Sequence, residues 1–256
     1  MNYVQLMQPV IQQAAELAVS HFRKNMTVFY KKDLSIVTDV DLAVQQILID
    51  GLIKALPGSG YLAEEGKISH IQEFTWVIDP IDGTKNFVRG LPYFCINVAL
   101  MHASKVIAAV TYQPVTDEWF CAQKGLGAFL NGQPLKLSDE WRQTGALVVV
   151  ADAIARNNNF LNQVKASLKI VDNGVRFRIN GAVALDLAYI ASGMFDVVIF
   201  QNLAWWDVAA GILLVQEAGG WVSQHDGLML DQQSKTLIAG DPQLCKMIIN
   251  LINLQK

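Results

Sequence analysis

Trp76-Val77-Ile78-Asp79-Pro80-Ile81-Asp82-Gly83-Thr84-Lys85 sets two carboxylates three residues apart at the end of an apolar run. Phe74, Trp76, Val77 and Ile78 are bulky and β-prone, so the run reads as a strand buried on both faces. Such a strand should not run straight into aspartate, because an unpaired carboxylate in low dielectric is strongly disfavoured. Pro80 fixes φ and removes a donor, which predicts that the chain leaves the sheet there. Gly83 and Thr84 then suit a tight turn with free N–H groups and a hydroxyl. An acid, a turn, a second acid and open backbone donors together suit a divalent metal and a phosphate.

Three other segments carry acids in similar settings. Trp205-Trp206-Asp207-Val208-Ala209-Ala210-Gly211 puts Asp207 between aromatics and the small residues that open an apolar helix, as an N-cap or first-turn acid. Leu62-Ala63-Glu64-Glu65-Gly66 ends a short apolar stretch with two glutamates, and Val37-Thr38-Asp39-Val40-Asp41 opens a helix that runs to Leu56. A solvated loop or a plain helix cap would explain each alone. The Asp79 segment is different, because it lies in apolar sequence and needs a counter-charge.

Composition narrows the class. A chain of 256 residues, 52% hydrophobic, can bury a large core as one unit or two packed halves. Its net charge of −3 argues against a nucleic-acid surface, and its longest basic run is Lys31-Lys32. Cys95, Cys121 and Cys245 have no metal-type spacing and form an odd set, which reads as reduced core thiols in the cytoplasm. No apolar run is long enough to span a membrane. Val4, Met7, Ile11, Ala14, Ala18 and Phe22 recur at helical spacing, which marks a first helix rather than a signal peptide. His21, His70, His102 and His225 fall in surface-like or hairpin contexts.

The coarse map predicts helices over 4–22 and 40–56, a strand over 75–79, and a meander over 93–102, 105–113 and 117–122. Ala103-Ser104, Pro114-Val115-Thr116 and Asn131-Gly132 supply the turns. Beyond residue 143 come a strand (146–151), helix, strand, helix (183–193), strand (196–200), helix (207–218), strand and helix. Periodicity alone predicts a layered α/β (α+β) protein.

The run WVIDPIDGTKNF, Trp76 to Phe87, resembles the first signature of the inositol monophosphatase family. Trp206-Asp207-Val208-Ala209-Ala210-Gly211, continuing to Glu217-Ala218-Gly219-Gly220, resembles the second. Asp117-Glu118-Trp119-Phe120 and Gly125 to Gly132 (GLGAFLNG) resemble its central hairpins, and Gly181 to Gly193 (GAVALDLAYIASG) its C-terminal central helix. The likeness runs in the family's order from Lys31 to Asp241.

That resemblance implies a five-layer αβαβα sandwich of the inositol monophosphatase and sugar phosphatase type. Residues 1–256 would form one unit, divided into halves at 1–142 and 143–256 with the site between them. It implies a Mg²⁺-dependent, lithium-sensitive phosphomonoesterase that binds two to three ions and works as a homodimer. Glu64, Asp79 and the Ile81 carbonyl would hold one metal, and Asp79, Asp82 and Asp207 a second, with a third, hydrated ion near Glu64. Thr84, oriented by Asp41, and Glu64 would be catalytic. Asp82, Gly83 and Thr84 would hold the phosphate, while Gly181, Ala182, Val183, Phe200 and Asp207 would line the substrate pocket. Lys85 either assists an anionic substrate or faces water, and Glu65 either supports the metal shell or faces water.

Five negative charges in one cleft demand compensation. At ~4 Å and an effective dielectric of ~20, each like-charge pair repels by about 4 kcal/mol. Hard oxygen ligands without His or Cys suit Mg²⁺ rather than zinc.

Substrate choice departs from the inositol enzymes. Lys31-Lys32-Asp33-Leu34-Ser35-Ile36-Val37-Thr38 is closer in style to the family's nucleotide and histidinol-phosphate branches. Where inositol-specific members carry a hydroxyl-accepting glutamate seven residues before the second-signature aspartate, this chain has Phe200. Either Phe200 makes the pocket more apolar, or it turns inward and Gln201 takes over. Inositol 1-phosphate leads by family frequency; 3′-phosphoadenosine 5′-phosphate, histidinol phosphate and glycerol phosphate are alternatives. Some bacterial relatives also bind transcription machinery. An aspartyl-nucleophile phosphatase would need carboxylates at i and i+2, whereas Asp79 and Asp82 stand at i and i+3 with Pro80 between.

Overall fold

The computed structural model of the chain describes residues 1–31, 35–67, 69–137, 145–150 and 176–253. The paired helices α1 (Tyr3–His21) and α2 (Asp39–Ala55) form its first layer. Between them the short strands β1 (Val28–Tyr30) and β2 (Ile36–Thr38) make a two-stranded hairpin. Thr38 caps α2: its Oγ1 accepts from Asp41 N, and the Asp41 carboxylate accepts from Thr38 N, a reciprocal capping box.

The second layer is a sheet of β3 (Gly60–Ala63), β4 (Ser69–His70), β5 (Phe74–Asp82), β6 (Cys95–His102), β7 (Lys105–Gln113), β8 (Glu118–Gln123), β9 (Ala128–Leu130) and β10 (Gln133–Leu135). Its order is β10-β9-β8-β7-β6-β5-β3-β4, antiparallel except for β3 beside β5. The short helix α3 (Thr84–Val88) lies in the connection from β5 to β6. The meander follows from its turns. Ala103 and Ser104, and again Asn131 and Gly132, take positive φ, the two-residue hairpin conformation that matches strand twist.

The helices α4 (Val183–Ala191) and α5 (Trp205–Glu217) form the third layer. Both are apolar nearly all round because each is covered on two sides. Val77, Ala99, Ala109 and Phe120 of the large sheet face them, as do Val149, Val198, Phe200 and Leu237 of a smaller one. Gly211 lets the two helices touch: a Cβ there would stand 2.4 Å from Leu187 Cβ.

The smaller sheet contains β11 (Leu147–Val150), β12 (Arg176–Arg178), β13 (Val197–Gln201), β14 (Trp221–Ser223) and β15 (Thr236–Gly240), in the order β12-β11-β13-β15-β14. Its outer face, Val148, Val150, Ile199 and Ile238, packs on Leu244, Cys245 and Ile248 of α6 (Pro242–Asn253). The layering is therefore αβαβα, as the resemblance implied. The helix predicted after the 146–151 strand lies outside the described residues.

Two local expectations need correction. The chain does not leave the sheet at Pro80: β5 bulges between Asp79 and Asp82 and pairs again with β6 through Asp82 and Cys95. Proline is tolerated there because pairing with β3 ends at Ile78, so no neighbour asks for the missing N–H. His225 is buried, not surface-like.

Candidate active site

The bulge in β5 decides where the acids go. It turns Asp79, Ile81 and Asp82 inward at the strand end, and all three are buried. Glu64 follows β3, and its N–H donates to Ile78 O at 3.1 Å, which brings it beside Asp79. Asp41 arrives on the first turn of α2, and Asp207 on the first turn of α5, where its carboxylate accepts from Ala204 N at 3.2 Å. Gly83, in the left-handed conformation, opens α3. A Cβ on Gly83 would meet the Ala182 side chain and Tyr93 O, each at 3.0 Å.

Asp82 ties the end of β5 to the start of α4. Its Oδ1 accepts from Val183 N (3.1 Å), and its Oδ2 from Ala184 N (2.7 Å) and Leu185 N (3.2 Å). It thus caps α4 from about a hundred residues away, satisfying N–H groups that helix cannot satisfy itself. Oδ1 keeps a lone pair.

Burial makes this cluster costly when ionised. Asp79 is pushed well above the carboxylate range, first by burial and then by Glu64, Asp82 and Asp207; Asp207 is raised by burial and then by Asp82. Burial likewise lifts Asp82 to about 7 against the pull of the α4 N–H groups. Lys31 supplies one counter-charge, its Nζ lying 3.0 Å from Glu64 and 2.9 Å from Glu65. Glu65 does not face water. It is buried, raised to about 7 by burial and then by Glu64, and its backbone exchanges two hydrogen bonds with the Gln45 amide.

Among the described residues, no three Asp, Glu, His or Cys side chains close into a finished metal cage. The acids form an open cluster instead. One atom within it is conspicuous: Asp79 Oδ1 is buried and has no hydrogen-bond partner. A buried acceptor without a donor is suited to a cation, and the all-oxygen set fits a hard divalent ion.

Beside the cluster, Thr84 Oγ1 lies 3.0 Å from Asp41 Oδ1 and 3.1 Å from Ile81 O. Asp41 is fully buried and also accepts from Thr38 N (2.9 Å) and Thr38 Oγ1. Burial nevertheless holds its carboxyl above the usual range. With its proton directed to these acceptors, the Thr84 hydroxyl can accept from a water.

A cleft of about 530 Å³ opens over these groups. Glu64, Gly83, Thr84, Lys85, Gly181, Val183 and Asp207 line it, whereas Asp41, Asp79, Ile81 and Asp82 are buried and do not. Two expected pocket residues do not reach it. Phe200 is fully buried in the layer between α4, α5 and the smaller sheet, and strand alternation turns Gln201 to the cleft instead. Ala182 is fully buried behind Gly83.

Sequence reasoning missed Asn86, Asn180 and Asp186, all of which line the cleft. Asn86 Nδ2 donates to Tyr93 O (2.8 Å) and Asn180 O (2.9 Å), joining the β5–β6 connection to the approach of α4. An aspartate inside the apolar run Val183 to Ala191 was a readable signal of the same kind as Asp79.

Residues 3–255 match the sequence profile of the inositol monophosphatase family. The chain belongs to that family. An inositol-1-monophosphatase of Rhizobium meliloti is 32% identical over 90% of this chain and 87% of its own length. A Nus factor SuhB of Pseudomonas aeruginosa is 36% identical, covering 84% and 82% of the two chains. Among solved structures, the extragenic suppressor protein suhB of Bartonella henselae superposes with a TM-score of 0.91 at 30% identity, covering 98% of each chain. An IMPase of Thermotoga maritima does so at 0.89 and 29%, covering 99% and 97%. The inositol monophosphatase family is one of phosphatases, and the layered fold is that of a family member.

Proposed function

We propose that this chain is a Mg²⁺-dependent phosphomonoesterase that hydrolyses a small phosphate ester by direct attack of water, with inositol 1-phosphate the leading substrate. The observation that carries this is the unpartnered, buried Asp79 Oδ1 among Glu64, Asp82 and Asp207, next to the Thr84–Asp41 pair. Glu64, Asp79, the Ile81 carbonyl, Asp82 and Asp207 would hold two to three Mg²⁺ ions, which supply charge neutralisation, polarisation of the phosphate and a more acidic water.

The chain's own groups do the rest. Thr84 Oγ1 accepts a hydrogen bond from the attacking water while its own proton rests on Asp41. Glu64, on the cleft side of the cluster, takes the water's proton. The N–H groups of Gly83 and Thr84 receive phosphate oxygens, and Asp82 holds α4 against them. The leaving alcohol lies towards Gly181, Val183 and Gln201.

A phosphate-release panel with Mg²⁺ tests the reading, spanning inositol phosphates, glycerol phosphate, histidinol phosphate and 3′-phosphoadenosine 5′-phosphate. Absence of release from every ester would end it. Single-turnover hydrolysis in ¹⁸O water should put the first label into phosphate, not into an enzyme carboxylate. Thr84→Ala should lower kcat by ~10² with little change in KM, because the attacking water loses the group that orients it; a rise in KM alone would move Thr84 out of the reaction. Li⁺ should lower kcat and KM together, since it brings half the charge of Mg²⁺ to the same oxygen ligands. A rise in KM at constant kcat would instead mean competition with substrate.

A homodimer acting in the cytoplasm belongs to the same reading. The Nus factor names of several relatives support a second role, binding to transcription machinery. Affinity capture at native expression that recovers no polymerase subunit would count against it.

A further inference from the structure

Glu64 and Asp207 are cleft acids that the proposed metal chemistry uses; Asp186 also lines the cleft and has no part in it. It stands in the first turn of α4 and is 2% exposed. Tyr93 Oη donates to its Oδ1 at 2.6 Å and Asn180 Nδ2 to the same oxygen at 2.7 Å. Burial and the adjoining Asp186 carboxylate keep the Tyr93 phenol protonated, so its role as donor is fixed. Asn86 in turn holds the backbone carbonyls of both Tyr93 and Asn180. One carboxylate oxygen is thereby saturated and the group's orientation locked.

The other oxygen, Oδ2, accepts from no donor among the described residues, and the residue carrying it faces the cleft. A nearly buried acceptor without a donor favours any ligand that brings one and rejects analogues that lack it. Phe200 lies in the core and takes no part, while Gln201 lines the cleft with an uncharged amide.

We infer that Asp186 Oδ2 is the acceptor for a hydroxyl of the leaving alcohol, so that the cleft selects polyol monophosphates over esters of alcohols without a second donor. This rests on the phosphomonoesterase reading above. Glycerol 2-phosphate and isopropyl phosphate share a carbon skeleton and differ only in two hydroxyls, so their kcat/KM ratio isolates the contact.

Asp186→Asn keeps an oxygen for Tyr93 and Asn180 but turns an amide donor to the cleft. The ratio should fall roughly tenfold or more, with kcat/KM for isopropyl phosphate within about twofold of wild type. An unchanged ratio, or a parallel fall for both esters, overturns the assignment and leaves Asp186 a structural residue. If circular dichroism shows the variant unfolded, the wild type decides: KM must be lower for glycerol 2-phosphate, and equal KM values overturn the contact. Failure of the wild type to hydrolyse either ester with Mg²⁺ would reject the phosphatase reading itself, and this inference with it.

Discussion

Asp79→Asn is expected to reduce phosphate release below a tenth of wild type while leaving the fold intact. A tenth corresponds to only ~1.4 kcal/mol of barrier, less than the loss of a central charged ligand should cost. In chelator the same variant should melt at a higher temperature than wild type, and the gain should depend on pH. Burial and neighbouring acids hold the folded Asp79 well above its unfolded value of 3.8. The stability tied to its protonated form is therefore fully present below that unfolded value and is lost as pH rises towards the folded one, at ~1.4 kcal/mol per pH unit for a single group. Asparagine has no proton to lose, so its advantage should widen from about pH 4 upward and shrink when Mg²⁺ saturates the wild type. Melting curves at several pH values check this. An Asp79→Asn enzyme that kept more than a tenth of the activity would remove Asp79 from the metal assignment.

Phe200→Glu is expected to unfold or severely destabilise the protein. Phe200 is fully buried, pairs with Leu237 across β13 and β15, and packs among apolar side chains of α4 and α5. Loss of such an aromatic costs ~3–5 kcal/mol, and a carboxylate in its place adds an unpaired buried charge. Sequence reasoning left open a cleft-facing Phe200, for which the same change would supply a hydroxyl acceptor and improve inositol 1-phosphate hydrolysis. Urea unfolding separates the two cases. A stable Phe200→Glu protein with a raised preference for inositol 1-phosphate over p-nitrophenyl phosphate would put position 200 back in the cleft.

These two positions mark the boundary between what is local and what is not. Asp79 could be read in one dimension because an acid embedded in Trp-Val-Ile has no cheap explanation other than a partner. The helices α1 and α2, the meander and its turns at Ala103-Ser104 and Asn131-Gly132 were legible for a similar reason. Periodicity and turn chemistry are properties of neighbouring residues. The two motifs around Asp82 and Asp207 carried the family for the same local reason.

Other features depend on sums over residues far apart in the chain. A β-strand alternates its faces with period two, so whether Phe200 or Gln201 meets the cleft turns on a one-residue register that only packing against α4, α5 and β15 sets. Pro80 looked like the end of a strand, but a bulge beside the already finished β3 pairing keeps it in the sheet. Glu64 and Glu65 are adjacent and chemically alike, yet one borders the cleft and the other is buried between Lys31 and Gln45. The sequence by itself determined the two N-terminal helices, the meander with its turns, the layered class and the family. Tertiary structure decided that Asp82 caps α4, that Asp79 Oδ1 is left without a donor and that Asp186 faces the cleft, because burial and long-range hydrogen bonds arise only when distant segments meet.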